Sequence, residues 1–84
     1  MEKQKVTVRV AGREYTLVSA DSAEHLSRVA AFADRQITEM QFAARTNKEN
    51  AAVLAALNLA DELMKARDEN ARLRREMSAL RQDG

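Results

Sequence analysis

The sequence predicts an α+β chain in which an N-terminal β-hairpin and a short helix form a small head, and a long C-terminal helix forms a parallel coiled-coil dimer. Three observations carry this. Val6, Val8 and Val10 alternate with Thr7 and Arg9, the period-2 mark of a half-buried strand. From Thr46 onward neither Gly nor Pro interrupts the chain before Gly84. Apolar residues in that stretch recur with the 4-3 spacing of a coiled-coil seam. With 84 residues the chain is one small unit, of a size that often needs a partner subunit for stability.

Ala11-Gly12-Arg13 supplies the hairpin turn, and Tyr15 and Leu17 alternate with Glu14 and Thr16 on the return strand. Two strands alone are marginal in water, so the hairpin must lie on a helix or be extended by a second chain. A helix starts at Asp21-Ser22-Ala23-Glu24, with Asp21 as cap and Glu24 at the capping-box position. Leu26, Val29, Ala30, Ala33, Ile37 and Met40 form its apolar stripe, while Arg28, Asp34, Arg35 and Glu39 fall mainly elsewhere. It is expected to end between Ala43 and Arg45. Thr46-Asn47-Lys48-Glu49 is a second capping-box pattern, opening one helix of more than thirty residues.

That helix has two halves. Ala51 to Ala60 is apolar on most sides, so burial is expected nearly all round, against the hairpin and first helix on one side and a partner chain on the other. Beyond it, Leu63, Asn70 and Met77 occupy heptad position a, and Leu59, Ala66, Leu73 and Leu80 position d. Position g holds Glu62, Glu69 and Glu76; position e holds Arg67, Arg74 and Arg81. In a parallel dimer these meet as Glu62–Arg67, Glu69–Arg74 and Glu76–Arg81, whereas an antiparallel pair tends to set like against like. A lone Asn at an a position also fixes register and two-strandedness. The outward positions Met64, Ala71, Ser78 and Ala79 are small or apolar, which suits a second helix pair. Residues 1–58 therefore read as the head and 59–84 as the coiled-coil extension.

Composition narrows the function. There is no cysteine and a single histidine, so no metal site is expected, and no cofactor. Lys and Arg number 14 against 13 Asp and Glu, a balance unlike that of a duplex-DNA binder. The longest apolar run, Ala51 to Leu57, is far shorter than the roughly 20 residues of a membrane span. Met1 to Lys5 contains no apolar signal segment, so a cytoplasmic protein without membrane association is expected. The carboxylates sit at salt-bridge spacing, His25 lies near a polar boundary, and Gly12 is a single turn glycine. Nothing here assembles catalytic machinery, and a binding protein rather than an enzyme is expected.

Val8-Arg9-Val10-Ala11-Gly12-Arg13-Glu14-Tyr15-Thr16-Leu17 resembles the hairpin that opens the bacterial cell-division ZapA family, a family of FtsZ-ring-associated proteins. Thr46-Asn47-Lys48-Glu49, followed by Val53-Leu54-Ala55-Ala56-Leu57-Asn58-Leu59-Ala60-Asp61-Glu62-Leu63, is similar to that family's helix start and "AALN-x-A-x-EL" block. The resemblance runs through nearly the whole chain in the right order. It implies binding to FtsZ filaments and bundling of them at the mid-cell ring. It also implies parallel dimers that join in antiparallel fashion into tetramers, although this coil is short for the family. Family members carry filament-contacting charges on the hairpin turn and near the start of the long helix, positions held here by Arg13 and Glu49. The family's basic residue just before the long helix falls beside Arg45, its nearest counterpart. Two rivals are a strand–helix–helix DNA-binding dimer, using Thr7 and Arg9 in a groove, and a generic coiled-coil adaptor.

Overall fold

The structure, a computed structural model, describes residues 2–82. Strands β1 (Gln4–Val10) and β2 (Arg13–Ser19) form an antiparallel hairpin, followed by helices α1 (Ala23–Ala44) and α2 (Lys48–Gln82). The order of elements is as the sequence predicts. With 22 residues, α1 is short only beside the 35 residues of α2.

The turn is tighter than expected. Ala11 and Gly12 are its two central residues, with φ of 54° and 80°. Two successive positive φ values make a type I′ turn, whose twist matches that of the flanking strands. Arg13 lies outside the turn, as the first residue of β2, opposite Val10. One face of the hairpin carries Val6 opposite Leu17, Val8 opposite Tyr15, and Val10 opposite Arg13. The other carries Lys5 opposite Val18, Thr7 opposite Thr16, and Arg9 opposite Glu14.

Helix α1 is capped one residue later than predicted. Ser22 is extended (φ −68°, ψ 152°), and its hydroxyl accepts from the His25 N–H at 3.1 Å. Asp21 is committed elsewhere: its N–H donates to the Ser19 hydroxyl at 3.0 Å, and that hydroxyl lies 3.3 Å from its carboxylate. Glu24 is therefore an acid in the first turn and not the reciprocal member of a capping box. Leu26 and Ala30 are buried with Val6 and Val8 as the head's core, and Ala33, Ile37 and Met40 are half-buried along the same stripe. Val29, at the stripe's edge, stays 48% exposed. Asp34, expected off the stripe, is half-buried, and its Oδ1 accepts from the Ala11 N–H at 2.8 Å.

The end of α1 is a Schellman motif. The Arg45 N–H donates to the Phe42 carbonyl at 3.4 Å, and the Thr46 N–H to the Gln41 carbonyl at 3.2 Å. Arg45 itself is left-handed, with φ and ψ both 51°.

Asn47, and not Thr46, caps α2. Its Oδ1 accepts from the Asn50 N–H at 2.8 Å, and its carbonyl from the Ala51 N–H at 2.9 Å. Thr46 instead accepts from the Asn50 side-chain amide at 3.1 Å, which ties the loop to the first turn. Moving the cap one residue releases Glu49 from the capping box.

The first turns of α2 pack on α1 through Ala51 and Ala55, which are 0% and 2% exposed. Side chains this small let helix backbones approach closely. Of the burial expected for Ala51 to Ala60, the side against the same chain's first helix is seen here. Val53 and Leu57 remain 60% and 63% exposed. α2 packs on α1 and not on the hairpin, because α1 occupies the position against β1. From Ala60 to Arg81 every side chain is exposed, so the second half of α2 projects from the head. Among the described residues, no helix is long and apolar enough to cross a membrane.

Candidate partner-binding sites

Two surfaces separate along the chain. The first is an open cleft of about 760 Å³ between the hairpin turn and the start of α2. The tight turn places Arg13 on the same hairpin face as Val10 and Tyr15. The Asn47 cap places Lys48 and Glu49 in the first turn of α2. Arg13, Tyr15, Lys48 and Glu49 all line the cleft. Two of the three charges proposed from the sequence are thus brought together. Arg45 is not among the lining residues; it is exposed at the end of α1.

Glu49 benefits from its location, since an acid in the first turn complements the positive end of the helix dipole. Among the described residues neither Arg13 nor Glu49 makes an ion pair, so both charges are open to a partner. Lys48 is the residue that sequence reasoning missed. Its Nζ lies 3.4 Å from where a Cβ on Gly12 would stand, so the side chain reaches across to the hairpin turn. Its sequence signal, one lysine in a capping segment, says nothing of that neighbour.

The second surface is the projecting part of α2. Leu59 is half-buried, whereas Leu63, Leu73, Met77 and Leu80 are 45 to 73% exposed. Ala66 and Asn70 are exposed between them. The seam predicted from the heptads is thus exposed on the single chain as an apolar stripe that Asn70 interrupts. Its flanking charges partly satisfy themselves within the helix. The Arg72 guanidinium lies against Glu69 and Glu76, one turn before and one turn after. Glu69 has the largest effect and raises the Arg72 pKa above its ordinary value; desolvation opposes it, and Glu76 adds a smaller rise. Asp61 pairs with Lys65 at 2.9 Å. The remaining predicted flankers, Glu62, Arg67, Arg74 and Arg81, have no ion-pair partner within the described chain.

An apolar groove of about 340 Å³ runs along α1 beside β2, lined by Tyr15, Leu17, Val29 and Ile37 among others. Tyr15 and Leu17 are only half covered there, at 48% and 38% exposed. Among the described residues, no group of three or more His, Cys, Asp or Glu side chains is arranged to hold a metal.

Comparison with known proteins matches this arrangement as a whole. The sequence pattern of the family "Cell division protein ZapA" fits residues 6–83. A "Cell division protein ZapA" from Geobacillus kaustophilus is 38% identical over 76 residues, spanning 89% of this chain and 84% of that protein. Its namesake from Geobacillus thermodenitrificans is 40% identical over 74 residues, spanning 84% and 79%. The solved structure "ZapA mutant dimer from Geobacillus stearothermophilus" superposes with a TM-score of 0.78 at 35% identity, covering 93% of this chain and 92% of that one. With sequence and fold matched from the hairpin into the projecting helix, the chain belongs to the ZapA family of cell division proteins.

Proposed function

We propose that this protein binds FtsZ filaments through its head and crosslinks or bundles them at the division ring, with the coiled coil multiplying the heads. The family is a structural one of cell division, not an enzyme family. The observation that carries the reading is the separation of two unsatisfied surfaces. One is a charged cleft with Arg13 and Glu49 at the head; the other is the uncovered seam of α2.

The physical logic is avidity. A weak contact per head becomes firm when linked heads engage neighbouring sites on a polymer at high effective concentration. A parallel dimer, favoured by the glutamate and arginine order and by Asn70, sets two heads at one end. A dimer of dimers packed antiparallel through Met64, Ala71, Ser78 and Ala79 sets heads at both ends, the geometry that bridging requires. The proposed site of action is the cytoplasmic face of mid-cell. The outer hairpin face supports this reading over DNA binding. Arg9 there stands opposite Glu14, and Thr7 opposite Thr16, a poor surface for releasing phosphate counterions.

Co-sedimentation and light scattering with assembling FtsZ test the proposal. The purified protein should pellet with polymer and raise scattering, and no change in either refutes it. Charge reversal at Arg13 or Glu49 should weaken pelleting while leaving the mass in solution unchanged. Reversal at Arg45, outside the cleft, should do less.

A further inference from the structure

We infer that Asp34 is a positioning residue for the head's binding cleft: it clamps the hairpin turn against α1 and so holds Arg13 in place. The inference rests on the FtsZ-binding reading for its consequence, and on geometry for the clamp itself.

The turn bearing Arg13 is conformationally expensive. Type I′ turns demand positive φ at both central residues. Gly12 meets this without steric cost, but Ala11, with φ 54°, sets its Cβ against the neighbouring carbonyl. The hairpin tip also lies beyond the buried core, which ends at Val8 on β1 with Val10 packed against it. A two-stranded hairpin gripped along one strand is free to twist at its tip.

Asp34 answers both problems. It projects from α1, half-buried, and its Oδ1 accepts from the Ala11 N–H at 2.8 Å. That N–H belongs to the strained residue, two positions before Arg13. The clamp is anchored on a rigid element, because Asp34 sits mid-helix and its carbonyl accepts from the Thr38 hydroxyl at 3.0 Å. A charged acceptor also makes a stronger bond than a neutral one. The cleft's two walls are thereby fixed to one another: α2 packs on α1 through Ala51 and Ala55, and the hairpin tip is tied to α1 through Asp34. Without the tie, Arg13 would sample positions away from Lys48 and Glu49.

The test compares Asp34→Ala with Asp34→Asn, which keeps an oxygen acceptor. Loss of one bond to a charged acceptor shifts the clamp's equilibrium by about tenfold or more, and any loss of affinity per head is compounded when two heads engage. In hydrogen-exchange NMR, the Ala11 amide should exchange at least several-fold faster in Asp34→Ala than in wild type. In Asp34→Asn, which keeps the oxygen but not the charge, the rate should fall between the two. Co-sedimentation with FtsZ should follow the same order, with dimer mass and helix content equal in all three proteins. Unchanged Ala11 exchange in Asp34→Ala overturns the clamp whatever FtsZ does. Faster exchange with undiminished pelleting overturns its consequence for the site. Wild-type protein that fails to pellet refutes the binding reading instead, while the amide still reports on the clamp.

Discussion

Replacing Arg45 with glycine should stabilise the fold, although a side chain is lost. Arg45 ends α1 with φ and ψ both 51°, where an L-residue with a Cβ is disfavoured by about 1–2 kcal/mol. Glycine occupies that region freely, but its more flexible unfolded chain returns about 0.5–1 kcal/mol of the gain. The hydrogen bonds that close the helix end come from the backbone of residues 45 and 46, so they survive the substitution. The Arg45 side chain is exposed and makes no ion pair among the described residues, so little opposes the gain. The net expectation is about 0.5–1 kcal/mol per chain. For a domain of this size that amounts to a rise of about 2–8 °C in Tm. Thermal unfolding followed by circular dichroism measures it, at a fixed protomer concentration because association shifts Tm. A Tm that is unchanged or lower refutes the reasoning.

Two further outcomes are expected. Asn70→Leu should raise the denaturation midpoint of the coil while broadening the range of oligomers, measured by sedimentation; a single, unchanged oligomer would argue against a buried asparagine pair. Leu26→Ala removes one of the few large core side chains and should cost about 2–4 kcal/mol, read by urea denaturation; a loss below 1 kcal/mol would mean the hairpin face is not the head's main core.

The elements of the fold are legible in the sequence because each has a local cause. Alternating valines make β1, and an uninterrupted run of helix formers makes α2. The heptad seam is visible for the same reason, since its period is written in one segment. The caps are not resolved to the residue. Asp21 and Ser22, or Thr46 and Asn47, are chemically equivalent candidates, and the choice depends on which one a neighbour already occupies. Ser19 engages Asp21, and Asn50 engages Thr46. The half-covered state of Tyr15 and Leu17 was equally hidden, because alternation marks the inward face of a strand but not what covers it. At the candidate site, Arg13 and Glu49 are found through family resemblance. Lys48 and Asp34 owe their neighbours to pairings across 36 and 23 positions of chain, which no local pattern encodes.

The unbroken helix has a metric consequence. From Leu59 to Gln82 it rises about 35 Å with no proline or glycine at which to bend. Such a strut is a gauge for whatever its ends hold. Each added heptad lengthens it by about 10 Å and returns the apolar stripe to nearly the same side. Adding four residues instead rotates the stripe out of register. In the proposed bridging role, the gap between filaments would therefore change only in such discrete steps.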